Sequence, residues 1–166
     1  MSTEKTSLVL GLFDGMGDAV TAMSAGIAVA AVIISYWVYR QQRLFQEDLW
    51  RRSNSFSLLQ QWNGDMLRPA RSVIYQLLEK NRTYQFDEFK NDPEVFLKLQ
   101  LILHFFDEAA KLSRSGYIDR KLFFLVTVEA FTDWKLRFER FAPGDGDDTV
   151  RLKSVQEALA YLIQSP

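Results

Sequence analysis

The sequence predicts an all-α protein, with one N-terminal transmembrane helix continuing into a cytoplasmic antiparallel helical bundle. Three observations carry this prediction. Residues 19–39 contain no charged side chain and are followed at once by Arg40 and Arg43. At about 1.5 Å of rise per residue that stretch reaches roughly 31 Å, enough to cross a hydrocarbon core of about 30 Å. Beyond it, apolar residues recur at helical spacing between start and stop signals, and no segment sustains the period-two alternation of a strand.

Residues 1–18 are expected to form a short extracytoplasmic or interfacial segment. Ser7 to Phe13 is apolar but too short to cross, so it lies at the outer interface or extends the helix. Gly11 and Gly15 stand four apart in a segment interrupted by Asp14.

Residues 19–39 are the predicted span. Glu4, Lys5, Asp14 and Asp18 precede it, whereas Arg40, Arg43, Arg51 and Arg52 follow it. The positive-inside tendency then places the N-terminus outside and the C-terminal part in the cytoplasm, after a single pass. Tyr36, Trp37 and Tyr39 sit where amphipathic rings settle among headgroups, and Arg40 and Arg43 can snorkel there. A secretory signal peptide would carry its basic residues before the apolar stretch, so an uncleaved anchor is expected. The rival reading is a buried helix of a soluble domain, since alanines make the stretch only moderately apolar. Ala22, Gly26 and Ala30 recur every fourth residue and offer a face for self-association.

Residues 40–62 contain neither proline nor glycine, and Leu44, Phe45, Leu49, Phe56, Leu59 and Trp62 recur near helical spacing. This is the expected juxtamembrane stalk, broken at Asn63-Gly64. Residues 63–166 form the predicted bundle. Asp65 is read as the cap of a helix that tolerates Pro69 in its first turn, buries Val73, Ile74, Leu77 and Leu78, and stops near Asn81. Asp92-Pro93 starts the next, with Phe96, Leu99, Ile102, Leu103, Phe106, Ala110 and Leu112 inward and Gly116 as its stop. Asp119 caps another, facing Leu122, Phe123, Val126, Ala130, Trp134, Phe138 and Phe141 inward, and ended by Pro143 and residues 144–148. A last helix from about Thr149 to Ile163 turns Leu152, Val155, Leu159 and Leu162 to one side.

Composition narrows the function. The chain has 20 Lys plus Arg and 21 Asp plus Glu, and of these only Lys5, Glu4, Asp14 and Asp18 precede the span. The cytoplasmic part is thus nearly neutral, which argues against a nucleic-acid surface. With no cysteine, disulfides, thiolate metal sites and cysteine nucleophiles are excluded. His104 is the only histidine, lies among Leu103, Phe105 and Phe106, and is read as packed or hydrogen-bonded. Multi-histidine metal sites and histidine-dependent triads lack a second member.

The acid pairs Asp107-Glu108 and Asp87-Glu88 point in different directions on a helix and belong to solvated faces. Asp145, Asp147 and Thr149 imitate a calcium loop, but Val150 replaces its glycine and Gln156 its closing glutamate. No glycine-rich phosphate loop or nucleophile elbow occurs. No catalytic, cofactor or metal residue is therefore named. Arg68 and Arg71, one turn apart, are candidates to bind an anion or a partner carboxylate, with an internal salt bridge as the plainer alternative. Arg137 and Arg140 invite the same two readings.

The arrangement resembles a bacterial domain of unknown function that follows one N-terminal span. The likeness rests on Trp62-Asn63 followed by Met66 and Arg71, on residues 101–108 leading to Gly116-Tyr117-Ile118-Asp119, and on Trp134 before Arg137, covering roughly residues 19–142. Because these are packing and capping residues, the resemblance implies an anchored helical module and no particular activity.

The expected function is a non-enzymatic module, held at the lipid bilayer, that binds a protein partner or its own copies. An aromatic content of 14% can supply anchors for an interface as well as a core. An oligomeric channel or membrane-disrupting effector is the alternative, with Thr21, Ser24 and Ser35 as its few polar span residues and no ionisable group inside. An enzyme built from Arg, Asp and Glu on the bundle is a third reading.

Overall fold

A computed structural model describes residues 3–78, 82–142 and 147–164, with side chains described from residue 20 onward except at 22 and 148. Every regular element among them is a helix: α1 (Thr3–Asn63), α2 (Leu67–Leu77), α3 (Phe86–Lys90), α4 (Pro93–Arg114), α5 (Arg120–Phe138) and α6 (Asp147–Leu162). The chain divides into two compact units, Met1–Glu47 and Asp48–Pro166.

The first unit consists of α1 alone, so the apolar stretch 7–13 does extend the helix. From Val20 to Gln46 every described side chain is exposed. Ser24 folds its hydroxyl back onto the Val20 carbonyl at 2.9 Å, and Arg43 Nε donates to Glu47 Oε1 at 3.1 Å, so both polar groups are served within one helical turn.

The second unit has one hydrophobic core. The end of α1 contributes Ser55, Leu58 and Trp62, at the 3–4 residue spacing of one helix face. Trp62 is the aromatic hub: its ring centroid lies 4.9 Å from Phe105 in a stacked pair, 5.4 Å from Phe106 and 5.3 Å from Phe131. Phe106, Phe123, Phe131 and Phe138 are fully buried around it. Each such side chain contributes about 2–3 kcal/mol through removal from water.

Helix ends follow local chemistry. Asp92 accepts from the Glu94 and Val95 amides at 3.0 and 3.2 Å, with Pro93 in the first turn where no amide is needed. Asp119 accepts from Leu122 at 3.1 Å and starts α5. At the end of α4, Gly116 adopts φ +71°, its amide bonds the Ser113 carbonyl and the Tyr117 amide bonds Leu112 at 2.9 Å. This paired closure needs a left-handed residue, which glycine supplies without a Cβ penalty.

Three expected details are corrected. Asp65 does not cap α2, which begins at Leu67 with no side-chain cap; Gly64 makes a tight turn and its carbonyl accepts from Arg68 instead. The buried face of α2 is Leu67, Ala70, Ile74 and Leu78, whereas Leu77 is exposed and Val73 only half-buried. The helix ends at Leu77, and the expected stop near Asn81 lies outside the described residues. On α5, Val126 and Ala130 face outward; Phe123, Thr127, Phe131, Trp134 and Phe138 face the core. Buried Thr127 is tolerated because its hydroxyl donates to the Phe123 carbonyl at 2.7 Å. The short helix α3 was not anticipated; its start is held by the Gln85 amide donating to Glu88 at 3.1 Å. The break assigned to Pro143 and residues 144–148 comes earlier, since α5 ends at Phe138, and Asp147 and Asp148 already belong to α6; residues 143–146 lie outside the described residues.

Long-range polar contacts stitch α1 to the α4–α5 turn. The Ser55 hydroxyl accepts from the Asp119 amide at 2.8 Å and donates to the Arg51 carbonyl at 2.9 Å. Asn54 donates to the Tyr117 carbonyl at 3.0 Å. The segments flanking α3 and following α5 meet in a single parallel bridge, Tyr84 with Phe141, wrapped by Phe86 and Phe89.

Candidate interaction groove

Two arginines of α5 close the carbonyl ends of other helices. Arg137, only 3% exposed, donates to the Leu78 and Tyr75 carbonyls at the end of α2 and to Asp133 on its own helix at 3.0 Å. Arg120 donates to the Tyr161 and Gln164 carbonyls at the end of α6, at 3.1 and 3.2 Å. A cation beside the unpaired carbonyls of a helix C-terminus is favourable both as a hydrogen-bond donor and against the helix dipole. Arg137 thus has an internal role, with its carboxylate on the same helix rather than on a neighbour.

Between α2 and α5 lies an open groove of about 470 Å³. From α2 it is lined by Arg68, Arg71, Ser72, Tyr75 and Gln76; from α5, by Ala130, Asp133 and Trp134. The sequence-selected pair Arg68 and Arg71 is brought to one wall. Arg71 lies over the Trp62 ring, its guanidinium carbon 3.9 Å from the ring centroid, and donates to Asn63 Oδ1 at a long 3.4 Å. Its Nε is buried without a hydrogen-bond partner. Burial, and secondarily the charge of Arg68, hold Arg71 below the ordinary arginine value.

Among the described residues, neither Arg68 nor Arg71 has a carboxylate within ion-pair distance. The internal salt bridge offered as the plainer reading is absent there. The one acid lining the groove, Asp133, is already held by Arg137 at 3.0 Å. The groove therefore presents an excess of donors: two guanidinium groups, two hydroxyls and an amide.

The other selected residues stand apart from this groove. Tyr36, Trp37, Tyr39, Arg40 and Arg43 are all exposed on α1, with Tyr36 and Trp37 on consecutive positions and Arg43 engaged by Glu47. Gly26 and Ala30 are exposed, and a Cβ built at Gly26 would meet nothing within 4 Å. The Ala22 side chain lies outside the described residues.

His104 is exposed rather than packed, because its position on α4 falls on the solvent face between buried Leu103 and Phe105; Nε2 stands 4.0 Å from Glu108. Asp107 pairs with Lys111 at 2.6 Å, Asp87 with Lys90 at 2.8 Å and Glu88 with Arg82 at 2.7 Å, as solvated faces do. His104 and Glu108 also border a second, largely apolar groove of about 320 Å³ with Met66, Leu101 and Phe105. Among the described residues no group of three or more His, Asp or Glu is placed to hold a metal ion.

Sequence reasoning missed the Trp62 platform beneath Arg71 and the carbonyl clamps of Arg120 and Arg137. Only the spacing of Asp133 and Arg137, four residues apart on one helix, hinted at a fixed guanidinium. Comparison with known proteins finds no matching family model, no similar curated protein and no similar solved structure.

Proposed function

We propose that this chain is a single-pass, membrane-anchored, non-enzymatic module: α1 crosses the bacterial inner membrane with its N-terminus outside, and a cytoplasmic antiparallel helical bundle docks a protein partner. The observation that carries the anchor is the exposure of the apolar window of α1. This helix is long and apolar enough to cross a membrane, and none of its apolar window is buried against the rest of the chain.

Met23, Ile27, Val32, Ile33, Ile34 and Trp37 are each at least 60% exposed. In water every such side chain forgoes roughly 1.5–3 kcal/mol that burial would return, and lipid supplies that burial. A core helix of a soluble domain would be covered instead. Tyr36, Trp37, Tyr39, Arg40 and Arg43 then mark the cytoplasmic boundary. Tethering raises the effective concentration of the bundle toward partners in the same plane. The resemblance to bacterial anchored modules agrees with this reading.

The test is extraction and topology in one preparation. A C-terminally tagged chain is expected to stay in the membrane pellet through alkaline carbonate, and its tag to resist protease added outside intact spheroplasts. Release by carbonate, or digestion of the tag from outside, removes the anchor or its orientation. Recovery of one reproducible partner with the solubilised chain supports docking, and a strictly monomeric chain that brings down nothing defeats it.

A further inference from the structure

We propose that the α2–α5 groove is the docking site of the module and that its occupant is an acidic, amphipathic segment of a partner protein, one carboxylate entering between Arg68 and Arg71. The proposal rests on reading the domain as a docking module and names where it docks and what chemistry it accepts.

The charge pattern selects the occupant. Arg68 and Arg71 stand one turn apart on α2, and the groove's one carboxylate is already engaged by Arg137. Among the described residues these two like charges share a wall that carries no counter-charge, and Arg71 Nε is buried without a partner. Removing a guanidinium donor from water without pairing it is unfavourable, so the site gains most from an acceptor that brings its own negative charge. Burial and the Arg68 charge already hold Arg71 below its ordinary value, in line with an uncompensated cation.

Geometry favours a carboxylate over free phosphate. Arg71 is held over the Trp62 ring with its guanidinium carbon 3.9 Å from the centroid, which restricts its side chain before anything binds. A planar guanidinium fork with restricted freedom matches a planar carboxylate through two parallel hydrogen bonds. A phosphate cradle is instead built from converging backbone amides, whereas the Arg68 amide is bonded to the Gly64 carbonyl at 2.9 Å.

Apart from Asp133, which Arg137 holds, the far wall is apolar. Trp134 and Ala130 line it, and Val126, one turn before Ala130 on the same side of α5, is 60% exposed. A segment with apolar residues beside its carboxylates covers this wall, whereas a small anion leaves it wet. Ser72, Tyr75 and Gln76 supply the polar rim.

The test uses the full chain in nanodiscs of zwitterionic lipid. Three probes are titrated: a short amphipathic Leu/Glu peptide, the same peptide with Gln for every Glu, and inorganic phosphate. Binding is read from the Nε–Hε signals of Arg68 and Arg71 and the indole signal of Trp134. The Glu peptide is expected to shift all three saturably, the Gln peptide to bind at least about tenfold more weakly, and Arg68→Gln to weaken the Glu peptide by about tenfold. Arg68 is exposed and carries no packing load, so loss of fold does not mimic this result. A second variant, Val126→Ser, is expected to weaken the peptide without changing the phosphate response.

Equal binding of the Glu and Gln peptides overturns the proposal, as does saturation by phosphate at the peptide's concentration. Dimerisation of the chain alone that Arg68→Gln abolishes assigns the groove to a second copy and overturns it too. Flotation of the same nanodisc-forming chain with vesicles reports the anchor separately. A chain that floats but ignores the peptide loses this groove and keeps its membrane reading; one that binds peptide but does not float loses the anchor alone.

Discussion

The Arg137 guanidinium carbon lies 3.5 Å from the centroid of the Tyr75 ring, and the same group reaches past that ring to the carbonyls that end α2. One side chain of α5 thereby fixes both the terminus of α2 and one of the aromatic rings lining the groove.

Arg137→Ala is expected to destabilise the domain by about 3 kcal/mol, because the buried Leu78 carbonyl and the half-buried Tyr75 carbonyl lose their donor and a cavity opens beneath Tyr75. Arg137→Lys restores only part of this, since one ammonium cannot hold both carbonyls and Asp133 together as the guanidinium does through Nη1 and Nε. Urea unfolding of the full chain in mild detergent, followed by near-ultraviolet circular dichroism, measures both. Equal stability of wild type and alanine variant would refute the clamp.

Trp62→Ala removes the hub of the aromatic cluster and is expected to cost about 3–5 kcal/mol, with Trp62→Phe costing less than half as much. The alanine variant also takes away the surface on which Arg71 rests. The Arg71 Nε–Hε signal should then broaden in the folded remainder, which thermal melts and side-chain nuclear magnetic resonance test together.

Arg68→Gln is expected to stabilise the domain by a few tenths of a kcal/mol, because it removes the like charge one turn from Arg71. The sign with pH follows from the depressed Arg71 value. A base held below its ordinary value makes its charge unfavourable to the folded state at every pH below that value, and relief comes only in strong alkali. The gain should therefore be constant between about pH 5 and 8. Denaturant midpoints at several pH values check this; a loss of stability in the variant would mean that Arg68 is paired in solution.

Gly116→Ala is expected to cost about 1 kcal/mol, and Gly116→Asn less. A Cβ at this position meets nothing within 4 Å, so the whole effect comes from the positive φ of +71°. Thermal melts of the two variants separate a backbone cost from a packing cost, for which alanine and asparagine would rank the other way.

Much of the architecture was legible where local chemistry is strong. Asp92-Pro93, Asp119 and Gly116 mark helix ends through side-chain acceptors and a left-handed residue, and all three act as their types suggest. The inward face of α5 was not legible in the same way. Its residues Phe123, Phe124, Leu125, Val126 and Val128 are apolar on every side, so periodicity alone does not choose between Val126 and Thr127. Tertiary packing buried the threonine. Asp65 failed as a cap because the Gly64 carbonyl already takes the Arg68 amide in the first turn of α2. Helix α3 is five residues long, too short for a periodic signal. As for the groove, the spacing of Arg68 and Arg71 was visible on the chain. Their lack of a carboxylate neighbour was not, since it depends on Arg137 claiming Asp133 and on Trp62 supplying the platform.

The Ser55 hydroxyl that receives the Asp119 amide bridges 64 positions of sequence. A nascent chain leaving the ribosome therefore holds Ser55 without this partner until Asp119 has emerged. Native closure has to wait for late synthesis, and contacts of such separation slow the search. The Trp62 ring can meet Phe105 and Phe106 of α4 earlier but lacks Phe131 of α5 throughout that interval, so translation pauses placed before residue 119 should lengthen the period of vulnerability.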